Sequence, residues 1–287
     1  MTLCLALLLL AQSVPSDGVH LYQAGRFSEA AEAYRAEIKA HPDSAEAWAG
    51  EGRSLLKLGR LREASLYLAK ALQLRPGDAF ITRTLARCYL DAGDAAAVIA
   101  LLERTDDKDP DVQRLLGEAM YRAGYYGRAL QLLERTAKDR SGDQNAMAMY
   151  AVSLAKTGQT AEAERLCKRL LEPAVRPFNL DVLLTYAEIL DDTSRSTEAL
   201  RYADLAIEDQ PANPVVHLWK ARLLWHSGQT ADAAREAERS VSLAPDLPFA
   251  RNLLLQIYRK QGRIEDADHQ ADWLRQYNDR LASRGRE

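Results

Sequence analysis

Several patterns that mark particular protein classes are missing from this 287-residue chain. Three cysteines cannot form the disulfide framework of a small secreted domain, and no apolar run approaches the roughly eighteen residues of a membrane-spanning helix. Lys and Arg total 38 against 41 Asp and Glu, so the basic excess typical of nucleic-acid-binding proteins is also absent. The 47% hydrophobic content and the net charge of -3 exclude a disordered chain. Abundant Ala, Leu, Glu and Arg favour helix throughout.

The N-terminus predicts an export signal over residues 1–13. An unbroken apolar run from Leu3 to Ala11 has the length of the hydrophobic region of a secretory signal, and small residues at Ala11 and Ser13 suit cleavage after Ser13. No positively charged side chain precedes Arg26, which departs from the usual pattern. We therefore expect a periplasmic or secreted protein. The alternative is a cytoplasmic protein whose hydrophobic first helix packs on the fold.

An internal repeat organises the rest of the chain. Glycines recur mostly 34 residues apart, with Ser194 in place of one of them. A small residue follows each turn position five places later, and prolines recur near the repeat ends. Glycine accepts the left-handed conformation that ends a helix, and a small residue lets the next helix approach closely. The glycines are Gly25, Gly59, Gly93, Gly124, Gly158, Gly228 and Gly262, and the small residues are Ala30, Ala64, Val98, Ala129, Ala163, Ala199, Ala233 and Ala267.

This period resembles the tetratricopeptide repeat family, most clearly over Ala45 to Asp78, with Trp48, Gly52 and Pro76 at family positions. The resemblance implies an all-α fold, a right-handed α-solenoid of about eight helix-turn-helix repeats over residues 14–280. We expect a frayed tail at residues 281–287. We also expect a looser turn at Ser194 and an irregular exit loop at Pro173 and Pro177. The predicted repeats are 15–44, 45–78, 79–109, 110–143, 144–179, 180–213, 214–247 and 248–280.

The sequence contains no recognised catalytic motif, so we predict a non-enzymatic protein without cofactor or metal. Gly52 has the spacing of a nucleotide-binding glycine but is better explained by close helix packing. The acidic residues Asp107, Asp109 and Asp111, with Glu118, mimic a calcium loop. Pro110 and Val112 break that pattern, which favours a helix-capping turn. Cys88 and Cys167 lie on apolar helical faces and are predicted to be buried thiols.

In the tetratricopeptide repeat family the first helix of each pair lines the concave face. The residues exposed there are those not needed for packing, and they form a candidate peptide groove with basic and aromatic side chains. Bidentate guanidinium contacts and aromatic anchors suit an acidic peptide segment. The lysine and asparagine clamp of cochaperone members is missing at the corresponding positions. The groove residues are Arg53, Phe80, Arg83, Arg87, Arg114, Tyr121, Arg122, Arg222, Trp225 and Phe249.

These features predict an exported scaffold that binds a protein or peptide and assists assembly of an envelope or secretion complex. The assembly role rests on what bacterial members of the family typically do. The alternatives are an accessory subunit of an enzyme or transport complex and, more remotely, a hydrolase with an unrecognised site. We expect no nucleic-acid partner and no membrane span, and self-association through the end helices remains an alternative.

Overall fold

A computed structural model describes residues 17–103, 109–139, 143–172 and 176–284. These residues form sixteen α-helices and no strand, so the predicted all-helical fold is confirmed. None of the described helices is both long and apolar enough to cross a membrane. The predicted signal at residues 1–13 lies outside the described residues, as do residues 285–287 of the predicted tail.

The helices group into two compact units, whereas the sequence predicts one continuous solenoid over residues 14–280. Unit 1 contains helices α1 to α8: Asp17–Gln23, Phe27–Ala40, Ala45–Lys57, Leu61–Leu74, Ala79–Asp91, Ala95–Leu102, Pro110–Arg122 and Tyr126–Asp139. Unit 2 contains helices α9 to α16: Gln144–Lys156, Thr160–Leu171, Leu180–Asp192, Ser196–Asp209, Pro214–His226, Thr230–Leu243, Pro248–Gln261 and Ile264–Arg284. The predicted bounds of the individual repeats stay a prediction.

The odd-numbered helices are the first helices of the pairs, and most of them begin with a side-chain cap. Ser44 Oγ accepts a hydrogen bond from the Ala47 backbone N–H at the start of α3, and Asp78 Oδ1 accepts one from Ile81 at the start of α5. Asp, Asn or Ser at this position satisfies a backbone donor that the helix itself leaves unpaired. The helices α7, α9, α11 and α13 are capped in the same way by Asp109, Asp143, Asn179 and Asn213. The interpretation of Asp109 as a cap is thereby confirmed.

The turn inside each helix pair depends on a residue with a positive φ angle. Gly59 has φ of 73°, and its neighbour Arg60 donates its backbone N–H to the Leu55 carbonyl at 3.0 Å. Ser194 has φ of 61°, and Arg195 donates to Leu190 at 2.7 Å in the corresponding bond. The expectation of a looser turn at Ser194 is therefore wrong, because serine adopts the same left-handed geometry as the glycines. The other six glycines predicted at these turns also have positive φ.

Close helix packing explains the small residues that follow the turns. All eight of them are buried, with at most 2% of each residue exposed. Gly52 on α3 faces α4 so closely that an added Cβ would lie 2.7 Å from Leu68 Cγ and 3.2 Å from the Ala64 carbonyl oxygen. Both distances are shorter than ordinary van der Waals contact, so no larger side chain fits at residue 52 without repacking.

The predicted burial of the cysteines has an outcome in the described residues. Cys88 and Cys167 are free thiols with no exposed surface, so the prediction of buried cysteines is confirmed. The last helix, α16, continues to Arg284, and the fraying expected at residues 281–287 stays a prediction.

Within each unit, successive first helices lie side by side. Helix α3 contacts α1 and α5, and α5 contacts α7; in unit 2, α11 contacts α9 and α13, and α13 contacts α15. In the described parts of the chain, the backbones of the second helices do not approach one another in this way. The first helices therefore form a continuous row in each unit, and this row carries the residues considered next.

Candidate interaction surfaces

The structure places all ten predicted groove residues on first helices, in two groups. Seven lie on α3, α5 and α7 of unit 1, and Arg222, Trp225 and Phe249 lie on α13 and α15 of unit 2. The two groups lie in different compact units, and each group forms a surface of its own unit.

In unit 1, three of the predicted arginines converge on one carboxylate, and we call this arrangement the Glu118 cluster. Arg122 Nη2 lies 2.7 Å from Glu118 Oε1, while Arg87 and Arg114 Nη1 lie 3.6 and 3.8 Å from Oε2. Arg122 also donates to the Leu90 carbonyl oxygen on α5 at 2.8 Å. The Glu118 side chain is only 10% exposed, so the cluster joins α5 to α7 around a largely buried anion.

The other predicted residues of unit 1 also have intramolecular partners. Arg83 Nη1 lies 2.7 Å from Asp109 Oδ2, and the Tyr121 ring meets the Tyr126 ring edge-on. The Arg53 guanidinium lies between two aromatic rings, 4.4 Å from the centroid of Tyr22 and 5.1 Å from that of Phe80. Such cation–π contacts hold the guanidinium in place without neutralising its charge.

In unit 2, the three predicted residues line one cavity of about 350 Å³ between α13 and α15, which we call the α13–α15 pocket. Its volume lies in the range of small ligand and peptide side-chain sites. Phe249 is 74% exposed, which is unusual for a phenylalanine and leaves its ring open to a partner. The pocket is lined by Leu218, Arg222, Trp225, His226, Phe249, Asn252, Leu253 and Gln256.

Two cations rest on tryptophan rings in this region: Arg222 lines the pocket, and Lys260 lies on the ring of the pocket residue Trp225. The Arg222 guanidinium lies 4.5 Å from the ring centroid of Trp219, and Lys260 Nζ lies 4.6 Å from that of Trp225. Among the described residues, no carboxylate forms an ion pair with Arg222 or Lys260. Both charges therefore remain available to an anionic group of a partner.

Acidic residues of the neighbouring first helix α11 are engaged by other partners. His226 Nδ1 lies 2.6 Å from Asp191 Oδ2, and Lys156 Nζ lies 2.7 Å from Glu188 Oε2. Ser196 Oγ also donates to Asp191 Oδ1 at 3.1 Å. Asp191 is therefore part of the contact between α11 and α13 and does not extend the α13–α15 pocket.

Sequence reasoning missed Trp219 as the support of Arg222. The two residues are three positions apart on one helix, a spacing at which side chains meet, so this contact could have been expected. Within the described residues, no group of three or more His, Cys, Asp or Glu side chains could hold a metal ion.

Each unit is an array of helix pairs in which the first helices form one continuous row. This arrangement is that of a helical-repeat scaffold for protein interaction. Two models of the tetratricopeptide repeat family match the chain, one at residues 18–79 and 184–248 and the other at residues 55–119 and 120–177. These matches cover most of the sequence, and the chain belongs to the tetratricopeptide repeat family.

Solved structures with this fold share little sequence with the chain. A tetratricopeptide repeat protein from Parabacteroides merdae has a TM-score of 0.60 at 14% identity, with 84% of this chain and 95% of that chain covered. A chain of the APC/C hetero-tetramer Cut9–Hcn1 has a TM-score of 0.64 at 15% identity, with 84% and 48% covered. The human IFIT1 dimer with m7Gppp-AAAA has a TM-score of 0.57 at 16% identity, with 90% and 66% covered. No curated protein matches the chain significantly. At these identities the similarity establishes the fold alone.

Proposed function

We propose that the protein is an exported, non-catalytic scaffold whose α13–α15 pocket binds an acidic segment of another protein. The family supports the scaffold role, because helical repeats present preformed surfaces that lose little freedom on binding. An exported scaffold of this kind fits the assembly of an envelope or secretion complex.

The proposal depends mainly on the charges at the α13–α15 pocket. Arg222 and Lys260 are held on tryptophan rings and, among the described residues, are in no ion pair with a carboxylate. The exposed Phe249 ring, which lines the pocket together with Arg222, offers an apolar contact. A peptide with carboxylates flanking an apolar side chain complements both features, since buried aromatic anchors and guanidinium–carboxylate pairs carry much of the energy of peptide binding.

Binding can be tested with the full chain and one defined probe. The probe is a fluorescein-labelled nonapeptide of Asp and Glu residues around a central Phe-Leu pair, and its affinity is measured by fluorescence anisotropy. The double variant Arg222→Glu, Lys260→Glu reverses both charges, so we expect its affinity to fall by roughly tenfold or more. A second peptide with Asn and Gln in place of the acidic residues is expected to bind weakly to every variant.

A matched control has the same change in net charge at another surface. Arg201 and Arg239 are exposed on the second helices α12 and α14, so Arg201→Glu, Arg239→Glu is expected to bind the acidic probe nearly as well as the parent protein. Equal losses in the two double variants would show that only net charge matters, and the pocket would then not be the site.

Export rests on the apolar run from Leu3 to Ala11 and the small residues at Ala11 and Ser13. The proposal predicts that the mature protein begins after Ser13. N-terminal sequencing of protein purified from the native cell decides the matter. A soluble cytosolic protein that still begins at Met1 contradicts export and leaves the peptide-binding proposal intact.

A further inference from the structure

Unit 2 contains a second and larger cavity, of about 500 Å³, at the C-terminal end of α10. It lies among α10, α11 and α12 and shares no lining residue with the α13–α15 pocket. Its walls are mainly apolar and aromatic, as in typical small-molecule sites. They include Leu171, Phe178, Leu183, Tyr202 and Leu205.

The cavity forms where the regular repeat is interrupted. Helix α10 has 12 residues and ends at Leu171, whereas the second helices α12 and α14 have 14 residues each. Phe178, from the segment between α10 and α11, lines the cavity together with the last turn of α10. The cavity therefore lies where α10 ends, in front of α11 and α12.

Tyr186 of α11 also lines this cavity, and its environment is unusual. The residue has no exposed surface, and its ring packs edge-on against Tyr202 with centroids 4.7 Å apart. Its hydroxyl makes no hydrogen bond of ordinary geometry with any described residue, although Lys168 lies close enough to interact with it. Buried hydroxyl groups are nearly always hydrogen-bonded, because an unpaired one loses its interactions with water without compensation. An orphaned hydroxyl beside a cavity of ligand size therefore points to a missing hydrogen-bonding partner.

Two charged groups that line the cavity act on this hydroxyl, the Lys168 ammonium and, with a smaller effect, the Glu198 carboxylate. Lys168 lies beside Tyr186, and its Nζ is held 3.1 Å from Glu164 Oε1. Burial raises the pKa of Tyr186, so the hydroxyl keeps its proton at neutral pH and can donate it in a hydrogen bond. Because the hydroxyl has no exposed surface, a ligand reaches it only when a neighbouring side chain moves, and the half-exposed Lys168 is the candidate for this movement. Because a hydroxyl donor and an ammonium donor lie close together, the cavity favours a ligand with an oxygen atom that accepts hydrogen bonds.

We propose that this cavity binds a small, mainly apolar molecule through a carboxylate or carbonyl oxygen that accepts hydrogen bonds from Tyr186 and Lys168. The apolar part of the ligand packs against Leu171, Leu183 and Leu205. The site is separate from the peptide-binding pocket and goes beyond the proposed scaffold function.

Three probes of nearly the same shape test the proposal with the full chain. They are 3-phenylpropionate, 3-phenylpropanamide and 3-phenylpropylamine, and binding is followed by ligand-observed NMR titration. We expect millimolar or tighter binding of the acid, the amide or both, and about tenfold weaker binding of the amine, which offers no acceptor oxygen. The acid and the amide distinguish a carboxylate ligand from a neutral carbonyl ligand. Failure of both to bind in this range overturns the proposal.

Two variants locate the binding. Tyr186→Phe keeps the ring and removes only the hydroxyl, so the affinity for the binding acid or amide is expected to fall by roughly threefold to tenfold. The unfolding midpoint of this variant should not fall, because the hydroxyl makes no hydrogen bond of ordinary geometry that the variant would lose. Leu205→Trp fills the cavity and should abolish binding of all three probes. Unchanged affinity in either variant, or a lower unfolding midpoint in Tyr186→Phe, overturns the proposal.

Discussion

The two units hold the cations of their first helices in different ways. In unit 1, Arg87, Arg114 and Arg122 share the largely buried carboxylate of Glu118. In unit 2, Arg222 and Lys260 lie on tryptophan rings and, among the described residues, form no ion pair. The first arrangement uses the charges to join two helices of the same protein, while the second leaves them available to a partner.

The difference shows why a stripe of basic residues does not by itself identify a binding site. A guanidinium paired with a desolvated carboxylate must break that pair before it can bind a partner's acid, and the cost offsets most of the gain. A cation on an aromatic ring has a weaker contact, about 0.5–1 kcal/mol at an exposed site, and keeps its charge. Four of the five basic groove residues predicted in unit 1 are in ion pairs, and Arg53 resembles Arg222 in resting on aromatic rings.

The largest expected effect comes from breaking the Glu118 cluster. Glu118→Gln leaves three guanidinium groups without their shared anion, so we expect the free energy of unfolding to fall by about 2–3 kcal/mol, less than for a fully buried pair because the arginines are partly exposed. Urea unfolding measures the change. Glu188→Gln is the control, because Glu188 pairs with Lys156 at a more exposed site in unit 2 and should cost less than about 1 kcal/mol.

This prediction also has a binding readout. If pairing with Glu118 prevents the three arginines from binding a partner, Glu118→Gln frees them. The variant should then bind the acidic nonapeptide more tightly than the parent protein, and the additional binding should occur on unit 1. Equal unfolding free energies for Glu118→Gln and the parent would contradict the structural role of the cluster. The comparison between the two units would then fail.

A second experiment compares the stability of the two units through their cysteines. Burial raises the pKa of Cys88 in unit 1 to about 11 and that of Cys167 in unit 2 to about 12. At pH 8 both thiols are protonated, so a thiol reagent reacts only when the structure opens locally. In a Cys4→Ser background, Glu118→Gln is expected to speed labelling of Cys88 by roughly tenfold, since repeat arrays transmit stability mainly between neighbours.

Cys167 serves as the internal control of the labelling experiment. Mass spectrometry of the two cysteine-containing peptides gives both rates from one sample, and the rate at Cys167 should stay that of the parent. Equal acceleration of labelling at both thiols would mean that the chain opens as one cooperative body. The two units would then not differ in their local free energy of opening.

A third, smaller effect tests the aromatic support in unit 2. Trp225→Phe keeps an apolar ring but weakens the contact with Lys260, so we expect the affinity for the acidic nonapeptide to fall by about twofold to fivefold. Fluorescence anisotropy measures it, and the neutral peptide serves as the control because its weak binding should not change. Unchanged affinity for the acidic peptide would show that Trp225 does not contribute to the binding site.

The fold followed from the sequence because its determinants are local and repeated. Gly59 and Gly93 each end a helix, and a small residue such as Ala64 lets the next helix pack closely. Each repeat therefore predicts the same helix-turn-helix geometry independently of the others. Ser194 was expected to weaken this pattern but adopts the same φ region, since the hydrogen bonds of the turn hold it there.

The candidate sites were less predictable, because they depend on how side chains of different helices meet. The sequence identified Arg87 and Arg122 as surface cations but not their convergence on Glu118, which depends on the packing of α5 on α7. The cavity at Tyr186 was missed for a similar reason. It depends on how α10, α11 and α12 pack together, which the sequence pattern does not show.

The smallest expected effect concerns the turns, where the units also differ. Unit 1 has glycine at all four turn positions, while unit 2 has glycine at three and Ser194 at the fourth, with φ of 61°. A residue with a Cβ is strained in this conformation, so Ser194→Gly is expected to raise the free energy of unfolding by about 0.5–1 kcal/mol. Gly158→Ser makes the reverse change at the preceding turn of the same unit, where φ is 83°, and should lower the unfolding free energy by at least as much. Urea unfolding of both variants beside the parent gives the two differences. Loss of stability in Ser194→Gly would mean that the serine side chain stabilises its turn by more than the backbone strain costs.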